Sequence, residues 1–508
     1  MPKFYLTTAI DYVNSRPHLG TAYEKITADI IARFKRMNGY DTHFVMGNDE
    51  HSLNVFKKAE ELGVDPQAYC DTMEAEFKDV WAKLDISFDN FIRTTEPRHK
   101  TAVQALIQRI YDVGDVFESS YQGWYCNSCE AFKLEKDLVD GNCPLHNAKP
   151  EWLEERNHFF KLSKYQKPLL DHYRAHPEFL VPEIRRNEIL NVIESGLQDL
   201  SISRESQKWG IPVPFDPDSV VYVWVDALIN YISALGFGQD DNLVDEWWPA
   251  ELHIIGKDIT RFHCIYWPAM LMSAGVPLPR QVFGHGFITF KGEKMSKSLG
   301  TVVDPLDAAE RFGPDPLRVY VTREIIYGQD GDFSWDRFEA RYNADLANNL
   351  GNLVSRITAM AEKYLDCRLV PPSASGPLRA LAETATARYV DAMEALALHD
   401  GAAAAFGLVD AVNEFITETE PWALAKDPAA SERLAQVLYD AAEATRIAAL
   451  LLLQVMPGSS KEIMRRLGFS KDATSARLAT DAPWGAAGEL RCEKGPPLWP
   501  RLETRAKA

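Results

Sequence analysis

Apolar residues run almost unbroken from Phe4 to Ile10 and then give way to a polar turn containing Pro17 and Gly20. Such a run, bounded by turn residues, predicts a short buried strand. Ala22, Ile26, Ile30, Phe34 and Met37 then recur at three- and four-residue spacing, one face of a helix, until Asn38-Gly39 stops it. Thr42 to Met46 supplies a second strand, ending at Gly47-Asn48-Asp49-Glu50-His51. Strand, helix and strand in that order predict a parallel unit with its ligand site at the C-terminal ends of the strands.

The rhythm breaks between about 116 and 215, where aromatics, prolines and three clustered cysteines indicate an insertion. It returns with strand-like Val220 to Val225 and Glu251 to Gly256, a helix through Phe262, Ile265, Tyr266, Ala269 and Met270, and strand-like Gln281 to Phe290. Beyond about Phe333 the strand pattern ceases. Arg341 to Leu365, Leu378 to Leu398, Ala402 to Glu418 and Glu432 to Leu453 are Ala/Leu-rich and predict a helical bundle, with Pro371 to Pro377 as an internal loop.

At 508 residues the chain exceeds one ordinary core, so roughly two to four domains are expected. No apolar stretch reaches the roughly 18 residues of a membrane span, and Met1-Pro2-Lys3 leads into the first strand without a secretory pattern. A cytoplasmic protein with no membrane partner is therefore expected. The net charge of −18 excludes an overall basic coat, but a local basic stripe on an acidic body can still engage phosphates. Seven cysteines in such a chain make no disulfide scaffold, and Cys70, Cys264, Cys367 and Cys492 are isolated in sequence and expected to be inert.

Two short motifs carry phosphate chemistry. Pro17-His18-Leu19-Gly20 falls at the strand-to-helix turn, where unpaired N–H groups and the helix dipole favour an anion. His18 can add a hydrogen bond, and Gly20 admits a nucleotide to the backbone; an ordinary loop with a surface histidine is the alternative. Lys291-Gly292-Glu293-Lys294-Met295-Ser296-Lys297-Ser298-Leu299-Gly300 is a lysine-rich loop after a strand, able to close on a triphosphate or to be a solvated basic turn. Together on one α/β frame they suggest two clamps on one nucleoside triphosphate.

Cys126-x2-Cys129 and Cys143-x2-His146 bring four soft or borderline ligands to one tetrahedral metal, so a structural Zn2+ is the natural occupant, with a redox Cys-x-x-Cys as the competing reading. Ile10, Tyr12, Trp224, Ala227, Leu228, Tyr231, Ile259 and His263 fall at or just after strand ends, where they line a ligand pocket or simply fill core. Asp49, at the end of the second strand, can hold an ammonium group.

The segments Thr7-Thr8-Ala9-Ile10-Asp11-Tyr12, His18-Leu19-Gly20, Gly47-Asn48-Asp49-Glu50-His51, Tyr222-Val223-Trp224-Val225-Asp226-Ala227, Gly256-Lys257-Asp258-Ile259, Phe262-His263, His285-Gly286 and the Lys-Met-Ser-Lys-Ser loop occur in order. This set resembles the class I aminoacyl-tRNA synthetases, and within them the methionine-specific branch, over most of the chain. The resemblance implies an α/β fold: a Rossmann-type parallel-sheet catalytic domain, a zinc-bearing connective insertion, and an all-α anticodon-binding bundle. The implied divisions are 1–115 and 216–290 for the catalytic halves, 116–215 for the connective peptide, 291–345 for the lysine loop and stem contact, and 346–508 for the bundle and tail.

The implied activity is a methionine–tRNA ligase that uses ATP with Mg2+ to make methionyl-adenylate and then charges tRNA(Met), initiator tRNA included. By the same resemblance His18, Lys294 and Lys297 act on the phosphates. Gly20, Thr21, Asp258, His285, Gly286 and Met295 border ATP, and Asp49 pairs with the ammonium of L-methionine. Ile10, Tyr12, Trp224, Ala227, Leu228, Tyr231, Ile259 and His263 shape its thioether pocket. Asn348, Asn352 and Arg356, at i, i+4 and i+8, and Trp422 read the anticodon, although that spacing alone equally describes a solvated helix face.

Three departures from the family pattern stand out. Thr21 replaces a second histidine common in the first motif, Leu228 replaces a proline of some relatives, and an appended tRNA-binding barrel through which some relatives dimerise is missing, so a monomer is expected. Among rivals, the branched-chain synthetases need a large editing insertion for which the space between the two clamps leaves no room. The cysteine enzyme holds zinc in its substrate pocket, a nucleotidyltransferase would not need the bundle, and a non-catalytic tRNA-binding relative would not need His18, Asp49, Lys294 and Lys297.

Overall fold

The computed structural model describes residues 1–126, 131–133, 135–144, 148–294, 302–374, 376–469, 471 and 474–502, with backbone alone at 121, 131, 132, 137, 293 and 294. The predicted first unit is present as β1 (Lys3–Thr8), α1 (Leu19–Met37) and β3 (Asp41–Asp49), with a two-residue β2 (Asp11–Tyr12) between the first strand and the helix. β1 lies between β3 and the strand Leu252–Gly256, parallel to both. Val282–His285 and Leu180–Val181 extend the sheet on one side; β2 and β4 (Asn90–Arg93) extend it on the other, again parallel.

The strands read as apolar runs because both faces of the sheet are covered. Successive residues point to opposite sides. Phe4, Leu6, Phe44 and Met46 join α1 and the helical bundle in one apolar cluster, whereas Tyr5, Val45 and Ile92 pack under the helices Pro97–Asp112 and Trp267–Ala274 in another.

The bundle (principally Asn352–Leu365, Leu378–Glu394, Leu398–Thr419 and Ser431–Leu451) therefore shares a core with the sheet. A buried guanidinium pins the two. Arg318, in the helix Pro314–Glu324, donates to Asp29 Oδ2 on α1 (2.6 Å) and to the carbonyls of Gln454 (2.8 Å) and Val455 (2.9 Å). Burial opposes the Asp29 charge, but Arg318 and Arg33 outweigh it and hold the carboxyl below its usual range.

Several elements differ from the sequence reading. Val220 to Val225 is not a strand of the main sheet. Val220 and Val221 end an antiparallel strand, Asp216–Val221, and Val223–Leu228 is helical, with the Tyr222 carbonyl accepting from the N–H groups of Val225 (2.8 Å) and Asp226 (2.9 Å). A short apolar run does not distinguish strand from buried helix. The strand-like Gln281 to Phe290 is broken at Gly286, where a side chain would collide with the Gln329 carbonyl, a Cβ falling 2.2 Å from its oxygen.

The interval 116–215 also divides. Val116–Cys126, Ala131–Lys133, Glu151–Phe160 and Leu200–Ser201 form an antiparallel sheet, while Leu180–Val181 returns to the main one. Two residues carry no periodic signal. Cys367 and Cys492, isolated in sequence, face each other across the ladder of Arg368–Leu369 with Leu490–Arg491, the Cys492 N–H donating to the Cys367 carbonyl (2.9 Å).

Candidate active site

His18 occupies the N-cap of α1 in extended backbone conformation, and its Nδ1 accepts the Thr21 N–H (3.2 Å). That contact makes Nε2 the ring's donor, because a neutral imidazole carries one proton. A Cβ at Gly20 would lie 2.9 Å from His18 Cε1, so a side chain there would push the ring out of its capping position. Thr21 supplies the capping N–H, and its hydroxyl lies 3.4 Å from Nδ1. The turn is tied to the chain returning from the lysine loop, the Leu19 N–H donating to the Val303 carbonyl (2.9 Å).

Into that loop, Ile288–Phe290 pairs antiparallel with Glu293–Lys294 and parallel with Gly331–Phe333. Lys291 (φ 52°) and Gly292 (φ 79°) form its tight turn, both left-handed as a two-residue hairpin of type I′ demands. The backbone of Lys294 belongs to the hairpin, whereas Met295 and Lys297 lie outside the described residues.

A charge cluster that periodicity did not reveal lies under the turn. Lys25, on α1, is fully buried, donating to the Ala9 carbonyl (2.8 Å) and Glu24 Oε1 (2.7 Å) with Asp11 Oδ2 at 3.1 Å. Glu24 Oε2 is 2.9 Å from His285 Nε2, and His285 Nδ1 is 2.8 Å from the Gly286 carbonyl. Burial alone would raise Glu24, but Lys25 and His285 bring it down to about 2, while burial lifts Asp11 to about 6 against the pull of Lys25. His285 is thus a buried brace between α1 and the strand end that carries Gly286. Asp258 is exposed in the turn after Leu252–Gly256, its carboxylate over Gly256.

The predicted pocket residues converge. Tyr12 stands opposite Asp49 in the β2–β3 ladder and meets Trp224 edge-on, with ring centres 6.0 Å apart. Trp224 stacks on Phe262 (4.0 Å, 13°), a contact that the place of neither residue in its segment announces. Tyr231 Oη lies 2.6 Å from His263 Nε2, and His263 Nδ1 is 3.1 Å from the Ile259 carbonyl. Burial pushes the His263 ring down to about 4, so it is neutral: Nδ1–H donates to Ile259 and Nε2 accepts the tyrosine O–H. Ala227 and Leu228 are buried; Ile10 and Ile259 are half-buried against the same cluster. A cleft of about 690 Å³ beside Arg16 and Pro17 is lined by none of these pocket residues.

Cys126, at the end of Val116–Cys126, and Cys143 are buried; Cys129 and His146 lie outside the described residues. Among the described residues no cluster of three or more His, Cys, Asp or Glu could hold a metal ion. In the bundle, Asn348 and Asn352 are exposed, Arg356 is half-buried with a 3.5 Å contact to Asn413 Oδ1, and Trp422 is 39% exposed. Asn348 lies in a π-helical stretch, Tyr342–Gly351, and His263 in another, Phe262–Tyr266. Such widened turns are rare and concentrate at functional sites. Among the described residues no helix is long and apolar enough to cross a membrane.

The family model described as "tRNA synthetases class I (M)" matches residues 4–149 and 133–358. A methionine–tRNA ligase of Thermotoga maritima is 47% identical over 492 residues, covering 95% of this chain and 77% of its own. One of Thermosynechococcus vestitus is 48% identical over 484 residues, covering 92% and 90%. The structure of Mycobacterium tuberculosis methionyl-tRNA synthetase in complex with methionyl-adenylate superimposes with a TM-score of 0.94 at 42% identity, covering 99% of this chain and all of that one.

Proposed function

The chain belongs to the class I tRNA synthetases, among the methionine–tRNA ligases, and from that premise we propose how its own residues divide the work. It activates methionine with ATP and then esterifies tRNA(Met). A methionine carboxylate oxygen attacks the α-phosphorus, the bond to the bridging oxygen breaks, and pyrophosphate leaves; a 3′-terminal ribose hydroxyl then takes the methionyl group and AMP departs. Mg2+ accompanies ATP and neutralises phosphate charge.

The contact between the Leu19 N–H and the Val303 carbonyl carries this reading, because it joins the histidine turn to the chain returning from the lysine loop. His18 Nε2–H, Lys294 and Lys297 stabilise charge that develops on the phosphates, where aligned donors matter most. Gly20, Thr21, Asp258, Gly286 and Met295 border the nucleotide, with His285 bracing Gly286. Asp49 anchors the ammonium group. Tyr12, Trp224, Tyr231, His263, Ile10, Ala227, Leu228 and Ile259 surround the thioether, whose polarizable sulfur favours aromatic edges. The catalytic halves, connective peptide, stem-contact region and bundle keep the boundaries given above, except that Leu180–Val181 serves the catalytic sheet.

Asn348, Asn352, Arg356 and Trp422 read the anticodon by base-edge hydrogen bonds and stacking. Initiator and elongator tRNA(Met) share that anticodon, so both are substrates. Trp422→Ala raises the KM for tRNA about ten- to a hundredfold, the loss of one stacked base, and leaves tRNA-independent ATP–pyrophosphate exchange unchanged. Charging at the wild-type KM would remove Trp422 from the reader.

Cys126, Cys129, Cys143 and His146 hold one structural Zn2+, which clamps the insertion. The burial of Cys126 and Cys143 suits thiolate ligands shielded from solvent. Acid release from the purified protein yields about one zinc per chain, and chelation exposes the cysteines to a thiol reagent. Metal-free protein with those thiols protected would contradict this. A cytoplasmic location accords with ATP and tRNA as substrates.

A further inference from the structure

Asp226 lies two residues after Trp224 and immediately before Ala227, on the helix Val223–Leu228 that presents the aromatic wall. Its side chain is fully buried and both oxygens are engaged. Oδ2 is 2.7 Å from His51 Nδ1 and Oδ1 is 2.6 Å from His99 Nε2. His51 follows Asp49 by two residues, at the end of β3. His99 belongs to the helix Pro97–Asp112, and its Nδ1 lies 2.7 Å from Ser233 Oγ, which is 3.2 Å from the Asn230 carbonyl. All three side chains are almost wholly withdrawn from solvent.

We infer that Asp226 is a positioning residue for methionine, fixing the distance between the ammonium anchor at Asp49 and the thioether wall at Trp224 and Ala227. An ionised carboxylate only accepts, so each imidazole must present an N–H to it, which fixes His51 with Nδ1–H and His99 with Nε2–H. Burial works against the carboxylate charge, yet His51 and His99 outweigh it and hold Asp226 below the usual carboxylate range. His51 is fixed from a second side, meeting Trp209 edge-on at 5.5 Å while the Trp209 N–H donates to the Glu50 carbonyl (2.7 Å). The segment Asp49–His51 is thereby tied to two separate elements.

None of these groups touches the reacting atoms in this reading, which rests on the methionine site proposed above. Their effect is on where the two halves of one amino acid are held. A small displacement of a positioning group is enough to cost about a hundredfold. The amide in Asp226→Asn keeps the shape but places an N–H₂ against one imidazole N–H, so one contact is lost or one ring changes tautomer.

The test is ATP–pyrophosphate exchange by Asp226→Asn, with KM measured separately for methionine and ATP and active sites counted by adenylate burst. The expected result is a rise of about ten- to a hundredfold in KM for methionine, with KM for ATP within about twofold of wild type. A purely structural role would lower the active fraction and leave both constants alone, and that result, or a parallel rise in both, overturns the inference. If Asp226→Asn does not fold, His99→Gln decides, with the same split expected and the same two contrary outcomes. Wild-type exchange driven by another amino acid would instead bring down the methionine reading itself, which separates the two failures.

Discussion

Asp49→Asn raises the KM for methionine by about two orders of magnitude and leaves the KM for ATP within about twofold. Asp49 is 3% exposed, at the C-terminal end of a strand buried on both faces, and faces Tyr12 across the ladder. A carboxylate in such a place meets a substrate ammonium with little competing water. Truncating one partner of a buried hydrogen-bonded charge pair costs about 2–5 kcal/mol, and each 1.4 kcal/mol is tenfold in affinity. The amide keeps the side chain's volume, so packing is preserved and the loss reports charge. In the proposed arrangement ATP is held from α1 and the lysine loop, so its KM does not follow. Exchange kinetics at varied methionine and fixed saturating ATP check this; an unchanged methionine constant would move the ammonium anchor elsewhere.

His18 requires two substitutions, because the side chain caps α1 and is also proposed to act on the phosphates. As N-cap it accepts the Thr21 N–H, a contact worth about 1 kcal/mol to the helix. As phosphate donor it acts through Nε2, and removing one such donor from a developing anion costs about 10²–10³ in turnover. His18→Ala loses both, so the melting temperature falls along with kcat. His18→Asn restores the cap, since asparagine is among the best N-cap residues, but does not reach the phosphate. The expected pattern is a wild-type melting temperature with kcat still lowered at least about a hundredfold and KM values little changed. Recovery of kcat in the asparagine variant would reduce His18 to a cap.

Much of the catalytic frame is legible in the sequence for a definite reason. β1, α1 and β3 are long enough for their period to be read, and the turns between them contain the residues that stop each element. The helix Val223–Leu228 was hidden because six residues, mostly apolar, fit a strand or a buried helix equally well. The return of Leu180–Val181 to the sheet was hidden by its length. α1 shows a subtler limit. Glu24, Lys25 and Asp29 look like the solvated face of an amphipathic helix, yet all three are buried because sheet, bundle and strand end cover α1 on every side.

Within the site, most of the groups proposed to touch substrate lie inside recognisable motifs. The groups that hold them are harder to read: His51, Asp226 and Phe262 stand in the same segments, yet nothing there says what they contact. His51 and His99 are 175 and 127 residues from Asp226 in sequence, and no local pattern announces that three such side chains meet. Phe262 behind Trp224 is a similar case, because stacking depends on the fold of two elements at once. At Gly20 the structure adds a second demand to nucleotide approach, because a side chain there would crowd the His18 ring. Thr21, the departure from the motif, keeps its place through a backbone N–H that any residue but proline supplies.

The central claim is that the two clamps and the aromatic pocket make one methionine-activating site, and amino-acid-dependent ATP–pyrophosphate exchange tests it most directly. The purified chain is assayed with each of the twenty amino acids in turn, without tRNA. The account predicts that methionine supports exchange and that competitors smaller, larger or branched do so with far lower kcat/KM, as fit to one thioether pocket requires. Exchange supported by leucine, cysteine or any other amino acid at least as well as by methionine would contradict it.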